Sequence, residues 1–110
     1  MSWIPVTKRL PEYTDDKKLY DLIQEDLADE DFDPDEVDDE GYNYWDYMYI
    51  RVIVTIKGNP NFTARAKYYS HSKKFTSEEV CTRLPDGKIT NDITDRVLAW
   101  MIDPEPYEGD

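Results

Sequence analysis

The chain has 110 residues, a length that fits one domain and leaves no room for a second independent core. Asp and Glu number 25 against 13 Lys and Arg, for a formal charge of -12, while hydrophobic residues at 39% and aromatics at 14% supply enough apolar area for a small core. No apolar run approaches the roughly 20 residues of a membrane helix, and Met1-Ser2-Trp3-Ile4-Pro5 lacks the basic-then-apolar layout of a signal peptide, so a soluble protein of the cytoplasm is expected. Cys81, the only cysteine, cannot form an internal disulfide, and His71, the only histidine, cannot build a histidine-based zinc site.

The negative charge is concentrated. Residues 1–11 carry +2, residues 47–110 are neutral with nine acids and nine bases, and residues 12–46 hold sixteen acids against Lys17 and Lys18, for -14. Within that segment Leu19, Leu22, Ile23 and Leu27 recur at the period of one helix face and predict a helix over 16–28. Thr14 or Asp15 is placed to cap its start, and Asp15 and Asp16 oppose the positive end of the helix dipole. Asp21, Glu25 and Asp29 follow one another at intervals of four on a face away from the leucines, a row of carboxylates about 6 Å apart along the axis.

Residues 30–41 have no period, one proline and strong self-repulsion among Asp31, Asp33, Asp35, Glu36, Asp38 and Asp39, and read as a solvated loop pinned by Phe32 and Val37. The aromatics Tyr42, Tyr44, Trp45, Tyr47 and Tyr49 come next, and they suit either contact with a partner or the covering of a sheet.

The neutral part reads as β-structure. Over 47–57, Met48, Ile50, Val52, Val54 and Ile56 alternate with Tyr49, Arg51, Thr55 and Lys57. Gly58-Asn59-Pro60-Asn61 supplies a turn, after which Phe62, Ala64, Ala66 and Tyr68 alternate with Thr63, Arg65, Lys67 and Tyr69, so the two runs predict a hairpin. Ser77-Glu78-Glu79 before Val80 suits the start of a short helix or the approach to a strand, and Leu84-Pro85-Asp86-Gly87 is a turn. Ile89, Ile93, Val97, Trp100 and Met101 fit one helical face, while 97–102 fits equally a short buried strand stopped by Pro104.

The two ends carry a further signal. The opening Trp3-Ile4-Pro5-Val6 with Arg9-Leu10-Pro11-Glu12, and the close Val97-Leu98-Ala99-Trp100-Met101 with Pro104-Glu105-Pro106, resemble a small uncharacterised domain family common in phages and prophages. That family opens W-I-x-V-x-x-R-L-P-E and ends V-x-x-W-M-x-x-P-E-P. The resemblance implies a compact antiparallel sheet, a phage or mobile-element origin and no defined activity, and on it residues 97–101 are expected to form a strand. Members pass from the L-P-E turn almost directly into the first strand, so the acidic stretch over 14–46 stands here as an insertion. Trp3 and Trp100 are both expected to pack at a core edge. The expected fold is α+β, one domain over 1–110: a small antiparallel sheet of three to four strands with one acidic helix inserted near the N-terminus.

For catalysis, no motif surrounds His71, Cys81 lies ten residues away, and no glycine-rich phosphate loop is present, so no enzyme and no cofactor is expected. Asp29, Asp31, Asp33 and Glu40 fall at positions 1, 3, 5 and 12 of a calcium loop, but Pro34 takes the place of its glycine and Glu36 that of its apolar residue. Calcium binding therefore stands as an alternative, beside that of a phage accessory domain whose acidic run is only a solvated surface; no metal ligand is assigned. A -14 segment repels phosphate, which argues against direct nucleic-acid binding and suits the reverse role. Carboxylates spaced like backbone phosphates can enter the basic channel of a nucleic-acid-binding protein. The expectation is a DNA mimic that inhibits a host defence protein, with an RNA-guided CRISPR effector, and hence an anti-CRISPR role, foremost. Its contact residues would be Asp21, Glu25, Asp29, Asp31, Asp33, Asp35, Glu36, Asp38 and Asp39, with Tyr42, Tyr44 and Trp45 beside them.

Overall fold

A computed structural model describes residues 2–103. The alternation of β-branched and polar residues makes a strand, β2 (Ile50–Ile56), that buries Ile50, Val52, Val54 and Ile56 and turns Arg51, Ile53 and Thr55 the other way. It forms an antiparallel hairpin with β3 (Phe62–Tyr69), in a register that sets Ile50 opposite Tyr68, Val52 opposite Ala66 and Val54 opposite Ala64. The loop between them is tight: Gly58 N–H donates to Asn61 Oδ1 at 3.0 Å, the Asn59–Pro60 peptide is cis, and a Cβ on Gly58 would stand 3.0 Å from the Pro60 carbonyl oxygen.

Residues 97–102 form a strand, β7 (Val97–Ile102), rather than a helix, lying along the free side of β2 with Trp100 opposite Val54 and Ile102 opposite Val52. The N-terminal β1 (Ile4–Pro5) pairs with β7, and β4 (Lys74–Thr76) with β3, so the sheet runs β1-β7-β2-β3-β4, antiparallel throughout. A separate two-stranded ribbon joins β5 (Thr82–Arg83) to β6 (Ile89–Thr90). The fold is thus α+β and mostly sheet, but among the described residues the three to four strands expected become five in the main sheet and two in the ribbon. The additional strands are two or three residues long, too short to show an alternating period.

Residues 77–79 are neither helix nor strand. They close the edge of β3: the buried Ser77 hydroxyl donates to the Arg65 carbonyl oxygen at 2.7 Å, and Glu79 Oε2 accepts the Arg65 N–H at 3.2 Å. Side chains here do what a longer β4 would otherwise do.

The core lies on one face of the sheet, where Trp100, Tyr68, Phe75, Ile93 and Val97 join the buried residues of β2 and β3. Ile4, Val6, Leu10, Tyr13, Leu19 and Val80 pack against it. Trp100 is fully buried, its Nε1–H donating to the Arg9 carbonyl oxygen at 2.9 Å. The Arg9 guanidinium sits 5.0 Å from the centre of the indole and holds Asp15 through bonds of 2.7 and 2.8 Å. Trp3, in contrast, is 40% exposed and does not share the core position expected for both tryptophans. The difference is positional, because Trp100 lies inside a strand flanked on both sides and Trp3 precedes the edge strand.

The acidic helix is α1 (Lys17–Leu27), capped by Asp16, whose carboxylate accepts the Leu19 N–H at 3.2 Å. Thr14 and Asp15, expected as caps, instead lie in a 3-10 turn (Tyr13–Asp15) where Asp15 accepts the Glu12 N–H and the Arg9 fork. The apolar stripe is only partly covered: Ile23 is buried and Leu19 meets the core, but Leu22 is 49% exposed and Leu27 is exposed as well. Among the described residues no helix is long and apolar enough to cross a membrane.

Removing the Trp100 side chain opens a cavity in the core beside β1 and β2 and leaves the Arg9 carbonyl oxygen without its donor. Trp100→Ala is expected to lower unfolding free energy by about 3–5 kcal/mol, against under about 1 kcal/mol for Trp3→Ala, as read by urea denaturation.

Candidate partner-binding surface

The acidic candidates fall on two structures. Asp21 and Glu25 lie on α1, one turn apart and exposed. Asp29 does not continue their row, because α1 ends at Leu27 with Ala28 as its C-cap. Acids are unfavourable at the negative end of a helix dipole, and the Asp29 carboxylate instead turns to accept the Asp31 N–H at 3.0 Å. The expected three-carboxylate ladder is therefore a pair.

Residues 29–43 contain no strand or helix, yet they are more organised than a solvated loop. Asp33 accepts the Asp35 N–H at 3.0 Å, and Asp38 Oδ1 accepts those of Glu40 and Tyr42 at 2.9 and 3.0 Å. The Asp38 N–H donates to the Tyr42 carbonyl oxygen at 2.8 Å, closing a turn in which Gly41 takes a φ of +88° that a side chain would disfavour. Three aspartates thus cap the backbone they belong to. Asp21, Glu25, Asp31, Asp35, Glu36 and Asp39 have no such task, and all nine candidate acids are exposed with no ion pair among the described residues.

The lobe is pinned by aromatics. Phe32 meets Tyr44 edge-on at 4.8 Å, Tyr44 meets Trp45 at 5.2 Å, and Trp45 meets Tyr13 at 5.8 Å. The Tyr44 hydroxyl donates to Asp26 on α1 at 2.9 Å, and its N–H to the Pro34 carbonyl oxygen at 3.3 Å. Val37, expected as a second pin, is exposed. Tyr44 and Trp45 belong to a short helix, α2 (Tyr44–Tyr47), whose signal in the sequence is Asn43 followed three residues later by Asp46, each side chain accepting the other's N–H. Of the three aromatics placed at the interface, Tyr44 and Trp45 are half-buried and used internally, whereas Tyr42 is exposed beside the equally exposed Tyr47, with ring centres 5.9 Å apart.

Two phenols report on this arrangement. Tyr47 donates its hydroxyl to Asp38, which pushes the phenol up to about 12 and draws the carboxyl below its ordinary value. Burial, then the bond to Asp26, pushes Tyr44 up to about 12.

Asp29, Asp31, Asp33 and Glu40 do not converge: among the described residues no group of three or more His, Cys, Asp or Glu side chains is arranged to hold a metal ion. His71 lies 3.5 Å from Asp46, and Cys81 is exposed.

Because these phenols are protonated in the folded state to higher pH than in the unfolded chain, their contribution is complete below pH 10 and is lost as pH rises toward about 12. Phenolate absorbance is expected to show two tyrosines ionising near pH 12, one of which disappears in Tyr47→Phe. Comparison with models of protein families, with curated proteins and with solved structures finds no match.

Proposed function

We propose that this protein is a non-catalytic inhibitor of phage or mobile-element origin that mimics DNA and occupies the nucleic-acid channel of a host defence protein. An RNA-guided CRISPR effector is the favoured target, because its PAM-reading arginines and basic channel recognise the charge pattern of a phosphate backbone. The observation that carries this reading is the set of nine exposed carboxylates, without ion pairs among the described residues, on α1 and the lobe that follows.

Two features favour recognition over mere solubility. A DNA backbone presents repeated negative charge to the lysines and arginines of its partner, and an exposed acidic surface competes for the same groups. The carboxylates also sit on backbone held by Asx turns and by the Phe32-Tyr44-Trp45-Tyr13 cluster, so less conformational entropy is lost on docking than for a disordered acidic tail. Tyr42 lies among them as an exposed aromatic contact.

The test uses acids with no capping role. Pull-down from host lysate should recover a basic partner at roughly 100 mM salt that is lost at roughly 500 mM and displaced by duplex DNA. Asp21→Lys, Glu25→Lys and Asp35→Lys combined should weaken that complex on the order of 100-fold with Tm within about 4 °C of the parent. Full binding by the triple variant, or a partner indifferent to salt and DNA, would overturn the proposal.

A further inference from the structure

The sheet face turned away from the core carries Arg51 on β2 and Arg65 and Lys67 on β3. The register sets Arg51 directly opposite Lys67, and Arg65 opposite Ile53 one step along the same face. Like charges facing each other across an antiparallel pair destabilise it, so three adjacent cations are an arrangement that sheet stability alone does not favour. Lys67 is answered internally, its Nζ 4.7 Å from the centre of the Tyr49 ring and 3.9 Å from Glu78. The guanidinium groups of Arg51 and Arg65 have no ion pair, hydrogen bond or ring contact among the described residues.

These cations line a groove of about 540 Å³ that Tyr69, Thr76 and Asn91 also border. Its acids are three: Glu78 faces Lys67, Glu79 is taken up by the Arg65 N–H, and Asp103 stands where the chain leaves β7, its own N–H on the Arg51 carbonyl oxygen at 3.2 Å.

We propose that this groove binds a phosphate monoester of nucleotide size, with the phosphoryl oxygens held between Arg51 and Arg65. A phosphate monoester brings close to two negative charges and three acceptor oxygens, which two planar guanidinium forks can share. The volume exceeds what a bare phosphate fills and leaves space for an organic remainder beside the Tyr69 ring. The acids at the rim repel a longer polyanion and accept hydroxyl or amino groups of that remainder. The acidic lobe contributes nothing to this site, so the proposal stands apart from the inhibitor reading.

Calorimetric titration of the full chain at constant ionic strength, with adenosine 5′-monophosphate, inorganic phosphate and adenosine in turn, tests it. The monophosphate should bind tightest, phosphate should bind about tenfold more weakly or worse, and adenosine should not bind. Arg51→Gln and Arg65→Gln should each weaken the monophosphate by about tenfold or more, without lowering Tm, since each removes one of three neighbouring positive charges from this face. Arg65→Lys keeps the charge and loses the fork, so weakened binding at unchanged Tm isolates the guanidinium. The lobe variant with Asp21, Glu25 and Asp35 changed to Lys should bind as the parent does. Equal binding of adenosine and its monophosphate, phosphate binding as tight as the ester, full affinity in the Arg51→Gln/Arg65→Gln double variant, or no binding of any probe would each overturn the proposal.

Discussion

The indole of Trp100 is the contact on which the remaining structure depends. It sits in β7 between β1 and β2, opposite Ile4 on one side and Val54 on the other, with no exposure to solvent. A buried indole N–H needs an acceptor, and the one available is the carbonyl of Arg9, 91 residues away in the chain. That bond fixes the N-terminal segment over the core face. The Arg9 side chain then folds over the ring and grips Asp15, which in turn accepts the Glu12 N–H and so orders the turn from which α1 departs. One buried side chain thereby joins the two ends of the chain and sets the direction of the acidic helix.

The acidic segment is a problem in electrostatics that the fold meets locally. Sixteen acids within 35 residues repel one another, and no comparable number of bases lies nearby in sequence. Six of the aspartates, Asp15, Asp16, Asp29, Asp33, Asp38 and Asp46, accept N–H groups of the backbone beside them, and the phenol of Tyr47 adds another donor for Asp38. Beneath them a chain of four aromatic rings ties the lobe to the turn at Tyr13, and the Tyr44 hydroxyl ties it to Asp26 on α1. Apolar contact therefore holds what charge would push apart, and the remaining carboxylates, the half-buried Asp26 apart, stay exposed on an ordered surface.

The cations of the two central strands lie on one face. The strands β2 and β3 carry Arg51, Arg65 and Lys67 on the side away from the core and no acid of their own, while the negative excess lies on α1 and the lobe. Glu78, Glu79 and Asp103 stand beside those cations, so this face offsets its own charge, whereas the lobe does not.

The strong local patterns were legible in the amino-acid sequence. The β2–β3 hairpin follows from unbroken alternation, α1 from apolar spacing of three and four, and the excess of charge in one segment from counting alone. The exposure of the acids follows too, since carboxylates in such number have no partners to be buried with. Tertiary structure decided the rest. Whether 97–102 was helix or strand turned on a free edge of β2 awaiting a partner, which no local period encodes. The strands of two or three residues exist because their neighbours supply the hydrogen bonds. Tyr44 and Trp45 turned inward where Tyr42 did not, because the capped turn at Asn43 rotates one set of rings onto Phe32 and Tyr13 and leaves the other in solvent. Periodicity records which face a side chain shares, and only packing decides what that face meets.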